Sequence, residues 1–213
     1  PRRVPLIVIA VTIMLLVRPH MAGMLVIALS GAMLFQKRLA PWKKLALLAV
    51  VSTAASILVP IALRYAGLDS GASVEDLRSY VEQRQSYNLV GGGAVDIASL
   101  SFPMQLFTYV FRPLPQEAGS FFAFAAALDN VVLLFVFVLG MFALLKRKAV
   151  RVQENRVFLW LYCLIAWGVL ATTTANLGIS VRQKWMFVPM LLFLMLSAIG
   201  VRRNLKKTKQ PIF

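Results

Sequence analysis

Six apolar stretches punctuate the chain: Val4–Val17, Met21–Phe35, Leu45–Leu63, Phe121–Leu145, Val157–Ala175 and Trp185–Val201. Long runs that are apolar on every side predict helices solvated by lipid. The pattern therefore predicts an all-α, polytopic membrane protein with about six transmembrane helices. The first two runs are short, spanning only roughly 21–23 Å at ~1.5 Å per residue against a ~30 Å hydrocarbon core. They predict either a tight hairpin with Arg18-Pro19-His20 sunk below the outer surface, or one long helix kinked at Pro19.

Between the third and fourth runs lies an expected extracytoplasmic loop, residues 66–120, in which residues 66–100 form the one sizeable polar segment. Ser73-Val-Glu-Asp76 resembles a capping box with Asp in the place of Glu or Gln. Val74, Leu77, Tyr80, Val81 and Tyr87 follow at helical spacing, which predicts an amphipathic helix lying on the outer surface. Gly91-Gly92-Gly93 should end it, because three glycines do not sustain a helix. Phe102–Phe111 is apolar but has only ten residues. It is too short to cross and predicts a re-entrant or interfacial segment leading into Arg112-Pro113-Leu114-Pro115, where two prolines remove two backbone donors. Pro189 should kink the last run.

Charge fixes the orientation. If the six runs alternate across a bilayer, 16 of the 23 basic residues fall on one side. These are Arg2, Arg3, Lys37, Arg38, Lys43, Lys44, Lys146, Arg147, Lys148, Arg151, Arg156, Arg202, Arg203, Lys206, Lys207 and Lys209. Only Glu154 opposes them there. An excess of Lys and Arg in short connections marks the cytoplasmic face, so both termini are expected inside. The chain then reads as one integral membrane domain over residues 1–213. With no Met at its start, it is expected to begin partway through a longer protein.

Composition agrees with a membrane location: 60% of residues are hydrophobic, and the mean hydropathy is +0.77. The net charge of +15 suits anionic lipid headgroups rather than nucleic acid, because it clusters just beyond the apolar runs. Cys163 is the sole cysteine and lies inside an apolar run, which excludes a disulfide framework and a thiolate metal site.

Seven basic residues remain on the outer side, and five of them stand at span ends or in connecting loops: Arg18, Arg64, Arg112, Arg182 and Lys184. One reading is that they bind headgroups or pair with Asp69, Glu75, Asp76, Glu82, Asp96 and Glu117. The other is that they gather as a substrate site for an anion, since guanidinium donates two parallel hydrogen bonds to phosphate and keeps its charge. His20, the sole histidine, and Glu117 are the candidate bases. Each also has a structural reading, His20 as a helix cap and Glu117 as a partner of Arg112. Asp129 is an intramembrane carboxylate beside Asn130, with a pairing role toward Arg18 or Arg64 the favoured reading. Among outer acids there is no Asp-x-Asp or Asp-Asp pair of the kind a metal-dependent sugar transferase would use. Neither a metal nor another cofactor is expected.

Taken together, Leu-Val-Arg18-Pro19-His20, Phe111-Arg112-Pro113-Leu114-Pro115-Gln116-Glu117-Ala118, and Asn176-Leu-Gly178 with Arg182-Gln183-Lys184 and Pro189 resemble bacterial surface-polysaccharide membrane proteins. The likeness is to oligosaccharide-repeat-unit polymerases and O-antigen ligases. That family usually has ten or more spans, so six would fit a C-terminal portion or a smaller relative. The resemblance implies a multi-pass protein of the bacterial inner membrane. It also implies a glycan donor on a polyprenyl diphosphate at the extracytoplasmic face and inverting transfer without a metal. Arg18, Arg112 and Arg182 would stabilise the leaving diphosphate, and Glu117 or His20 would deprotonate the acceptor. A transporter or flippase for an anionic lipid-linked substrate, or a non-catalytic subunit with membrane-protein partners, are the competing expectations.

Overall fold

A computed structural model describes residues 4–36, 40–46, 48–49, 52–53, 56, 73–88, 93–146 and 154–208. Every element among them is helical: α1 (Val4–Val17), α2 (Pro19–Leu34), α3 (Val74–Asn88), α4 (Phe102–Phe111), α5 (Phe121–Leu145), α6 (Glu154–Thr173), α7 (Leu177–Gln183) and α8 (Val188–Thr208). Short 3-10 turns sit at Pro115–Glu117 and Lys184–Met186. Arg64 and most of the third apolar run lie outside the described residues.

Among the described residues, two helices are long and apolar enough to cross a membrane: α5 over 25 residues, and α6 from Arg156 over 18. A third crossing follows if Leu177–Met186 and Val188–Gly200 form one span broken by a 63° bend. The bend falls at Phe187, with Pro189 one residue into α8. Proline cannot donate to the preceding turn, so a helix readily starts there but does not run through it. The kink expected of Pro189 is thus a full break just ahead of it.

The described chain groups into two compact units. One contains α1, α2, the helical residues 41–46 and the start of α6 up to Ala166. In it, α1 and α2 contact each other and are separated at Arg18, whose φ of −147° and ψ of 76° leave the helical region. Pro19 has no N–H to carry the helix through, and α2 starts on it. Gly31 meets the Leu161 side chain, which a Cβ would approach to 2.9 Å.

The second unit contains α3, α4, α5, α6 from Trp167, α7 and α8. Its principal contact is α5 against α8. Gly140 makes this close approach possible: a Cβ there would stand 2.5 Å from Met195 Sδ and 2.6 Å from Met195 Cβ. The short α4 packs on α5 and α7. Its last turn, Thr108–Phe111, is buried. Phe111 lies 5.3 Å from Phe137 and 6.2 Å from Trp167, ring centre to ring centre. The Trp167 indole N–H donates to the Leu106 carbonyl at 2.9 Å. Aromatic side chains of this size bury ~150–250 Å² each, so this cluster is the core that holds α4 in place.

The capping box at Ser73 forms. The Asp76 N–H donates to Ser73 Oγ at 3.2 Å, and the Ser73 N–H donates to Asp76 Oδ2 at 2.7 Å. That backbone donor holds the Asp76 carboxyl below the usual carboxylate range. Near the other end of α3, Gln85 is buried and donates to the Thr172 carbonyl at 2.8 Å. Two threonines at the end of α6 turn their hydroxyls back on the helix, Thr172 Oγ1 donating to Gly168 O at 3.1 Å and Thr173 Oγ1 to Val169 O at 2.8 Å, while Thr174 Oγ1 donates to Gln183 Oε1 at 3.3 Å. An isolated antiparallel bridge, Ala94 with Asn176, ties the chain after α3 to the turn before α7. Gly93 is needed there, since a Cβ would lie 3.2 Å from Asn176 Oδ1 and 3.3 Å from the Gly178 nitrogen.

Candidate functional site

The Arg112-Pro113-Leu114-Pro115 turn is held from below by two buried side chains of other helices. The α4 helix ends at Phe111, which leaves its last carbonyls without helical partners. Lys184 Nζ donates to one of them, Val110 O, at 3.4 Å. It also donates to Asn130 Oδ1. Asn130 Nδ2 in turn donates to the Pro113 carbonyl at 2.9 Å. Lys184 and Asn130 are both 0% exposed. The Asp129 carboxylate, on the neighbouring exposed position of α5, acts on the lysine's charge from further away. The chain from Val110 to Pro113 is thus anchored through its backbone to α5 and to the turn at the break of the final helix.

Above that anchor, Arg112 and Glu117 form a two-point ion pair. Arg112 Nε donates to Glu117 Oε1 at 2.9 Å and Oε2 at 3.0 Å, and Nη2 lies 2.8 Å from Oε1. The Leu114 N–H donates to Oε2 at 3.0 Å. Arg112 N–H bonds back to Thr108 O at 3.2 Å, and the 3-10 turn bonds Glu117 N–H to Leu114 O at 2.9 Å. The Arg112–Pro113 peptide is cis. Both side chains remain accessible, at 25% for Arg112 and 27% for Glu117. Partial burial pushes the Glu117 carboxyl up, but the Arg112 hydrogen bonds, the Leu114 N–H and the Arg112 charge outweigh it and hold the group below the usual carboxylate range.

Arg182 stands exposed on α7, the helix packed on α4, and its Nε donates to the Gly178 carbonyl at 3.2 Å. Asn176 caps that helix by accepting from the Gly178 N–H at 2.9 Å. Lys184 is two residues beyond Arg182, yet the 3-10 turn carries it inward, so its ammonium serves the anchor and not an accessible surface. Arg112 and Glu117 therefore come together. Arg182 lies on a neighbouring helix, and Lys184 is withdrawn beneath. In the other unit, Arg18 stands at the break between α1 and α2, and His20 lies on the first turn of α2; both are exposed.

Asp129 makes no ion pair within 4.0 Å among the described residues of its unit; of its expected partners, Arg64 lies outside the described residues and Arg18 belongs to the other unit. Its neighbour Asn130 is the buried, doubly bonded member. No group of three metal-ligating side chains occurs among the described residues. A narrow crevice lies on the same unit, lined in part by Ile97, Gln105, Thr108, Tyr109, Thr174 and Ser180. Thr108 Oγ1 and Tyr109 Oη are buried there without a hydrogen-bond partner. The crevice is too narrow for a water molecule, whereas Arg112, Glu117 and Arg182 are accessible. Comparison with family models, curated proteins and solved structures finds no match for this chain.

Proposed function

We propose that this chain belongs to a metal-independent polysaccharide polymerase or ligase. It would transfer a glycan from a polyprenyl-diphosphate donor at the extracytoplasmic face of the bacterial inner membrane. The six crossings with cytoplasmic termini expected from the charge pattern would put the loop of Arg112 on that face. The observation that carries the reading is an accessible guanidinium on a backbone anchored by Asn130 and Lys184. Its main chain needs no rearrangement to meet an anion, although the side chain is paired with Glu117. A diphosphate bound there would need charge stabilisation as it leaves, which Arg112 and Arg182 supply. The acceptor oxygen forms the new bond to the anomeric carbon from the opposite side, and the carbon–oxygen bond to the diphosphate breaks with its electron pair on the phosphate. One displacement inverts the centre.

The test is polymer formation by the full-length protein in proteoliposomes containing a polyprenyl-diphosphate oligosaccharide. Arg112→Ala and Arg182→Ala should each abolish polymer growth while the protein still inserts. Full polymer from both variants would sink the proposal.

A second reading is favoured by a different observation. If Leu177–Met186 and Val188–Gly200 form one span, it is broken by 63° at Phe187, three residues beyond the buried Lys184. Discontinuous helices with charge at the break are used by transporters. A flippase for the same class of lipid-linked anion would move the donor across proteoliposomes without elongating it, which the same preparation distinguishes.

A further inference from the structure

The edge of Arg112 best suited to a diphosphate is already taken. Nε and Nη2 form one of the two parallel-donor edges with which guanidinium grips a carboxylate or a phosphate, and both point at Glu117. Glu117 is equally committed, since one oxygen accepts from Nε and Nη2 and the other from Nε and the Leu114 N–H. A carboxylate with both oxygens so engaged is a poor base. A guanidinium with this edge filled is a poor anion site. As found, the carboxylate is not free to act as a base, and only the outer edge of the guanidinium is left for an anion.

We propose that the pair is a latch worked by the donor: a diphosphate takes Arg112 from Glu117, and the carboxylate so released becomes the group that accepts the acceptor's proton. This deepens the glycosyl-transfer reading above and rests on it. Three observations favour it. Both side chains are about one-quarter exposed, so a ligand reaches them without unfolding the loop. The main chain on either side is tied down by Lys184 at Val110 O and by Asn130 at Pro113 O, so the exchange is confined to side chains. And a diphosphate brings more negative charge than one carboxylate, which favours it in the competition for a single cation.

The step balances. The acceptor oxygen bonds to the anomeric carbon and gives its proton to Glu117. The bond from that carbon to the diphosphate oxygen breaks, and its electron pair leaves with the polyprenyl diphosphate. When that product departs, Glu117 passes the proton to water and closes again on Arg112. Acceptor activation therefore waits for the donor, which suppresses proton transfer at an empty site.

The experiment measures binding of a short-chain polyprenyl diphosphate to the full-length protein in phosphatidylcholine nanodiscs, with inorganic diphosphate and phosphatidylglycerol as competitors. Glu117→Gln keeps the shape and removes the competing charge. It should bind the prenyl diphosphate about three- to tenfold more tightly than wild type, the range expected for an accessible ion pair. It should also lose at least ~100-fold in turnover. In the wild-type protein, adding the prenyl diphosphate should increase carbodiimide labelling of Glu117, read by mass spectrometry. Equal or weaker binding by Glu117→Gln, or unchanged labelling on wild type, overturns the latch while leaving glycosyl transfer intact if wild type makes polymer. Failure of both proteins to bind prenyl diphosphate, or its displacement by phosphatidylglycerol at equal concentration, overturns the latch together with the reading beneath it.

Discussion

Asn130 and Lys184 meet in a buried hydrogen bond in which the ammonium donates to the amide oxygen, and neither side chain reaches solvent. The other end of the amide donates to Pro113 O. The amide side chain accepts from the cation through its oxygen and donates to the carbonyl through its nitrogen, so one small group serves both. The lysine's charge is met by neutral dipoles, with the Asp129 carboxylate contributing from a distance.

This arrangement predicts an order of severity. Asn130→Leu removes the principal acceptor of a buried ammonium, and stranding such a charge costs roughly 3–5 kcal/mol. Lys184→Met removes the charge itself and leaves neutral groups unpaired, at roughly 1–3 kcal/mol. Asn130→Asp keeps an acceptor for the lysine but loses the bond to Pro113, and should fall at or below the methionine variant. Unfolding in detergent, followed by circular dichroism, reads all three. A leucine variant more stable than the methionine variant would show that the lysine does not depend on Asn130.

Gly140 gives a second prediction. Gly140→Ala places a methyl group inside contact distance of Met195, and the nearest atoms include the Cβ, which cannot swing away. Forcing α5 from α8 should cost about 1–3 kcal/mol, in line with overpacked cores. Met195→Gly in the same protein should recover part of the loss despite its own helix penalty of about 1 kcal/mol. A double-mutant cycle on thermal unfolding measures the coupling. Additive effects would mean that the two helices do not meet there.

The Arg112–Glu117 pair predicts a pH dependence with a definite sign. The folded carboxyl titrates below its unfolded value, so the pair's contribution is complete above the ordinary glutamate range. It is lost as the pH falls through the lowered folded value. In Arg112→Ala, partial burial would be opposed only by the Leu114 N–H, and the carboxyl should titrate higher than in wild type. The carboxyl-carbon chemical shift of labelled Glu117 against pH checks this. Identical titration in the two proteins would mean that the pair does not hold in solution.

Much of the helical layout was legible in the sequence, because apolar runs bounded by proline or charge state their own limits. The stretches Val4–Val17, Phe102–Phe111 and Phe121–Leu145 return as helices with those same bounds. The site was less legible. Asp129 drew notice as the ionisable residue, yet its neighbour Asn130 faces inward. Adjacent residues on a helix point about 100° apart, and a helix that is apolar all round has no stripe to reveal which one is buried. Lys184 was grouped with Arg182 as an outer cation. Its inward course is set by a 3-10 turn at the bend, which no periodicity announces. Arg112 with Glu117 was foreseen as one of two readings, because five residues across a proline turn bring two such side chains within reach.

The bridge between Ala94 and Asn176 has its own implication. Its two cross-chain hydrogen bonds, Val95 N–H to Ala175 O and Leu177 N–H to Gly93 O, are made by main-chain atoms alone. A seam stitched in this way is indifferent to the identity of most residues along it. Substitutions can drift through positions 94 and 95 without loosening it, whereas at Gly93 even one added carbon crowds the opposing turn.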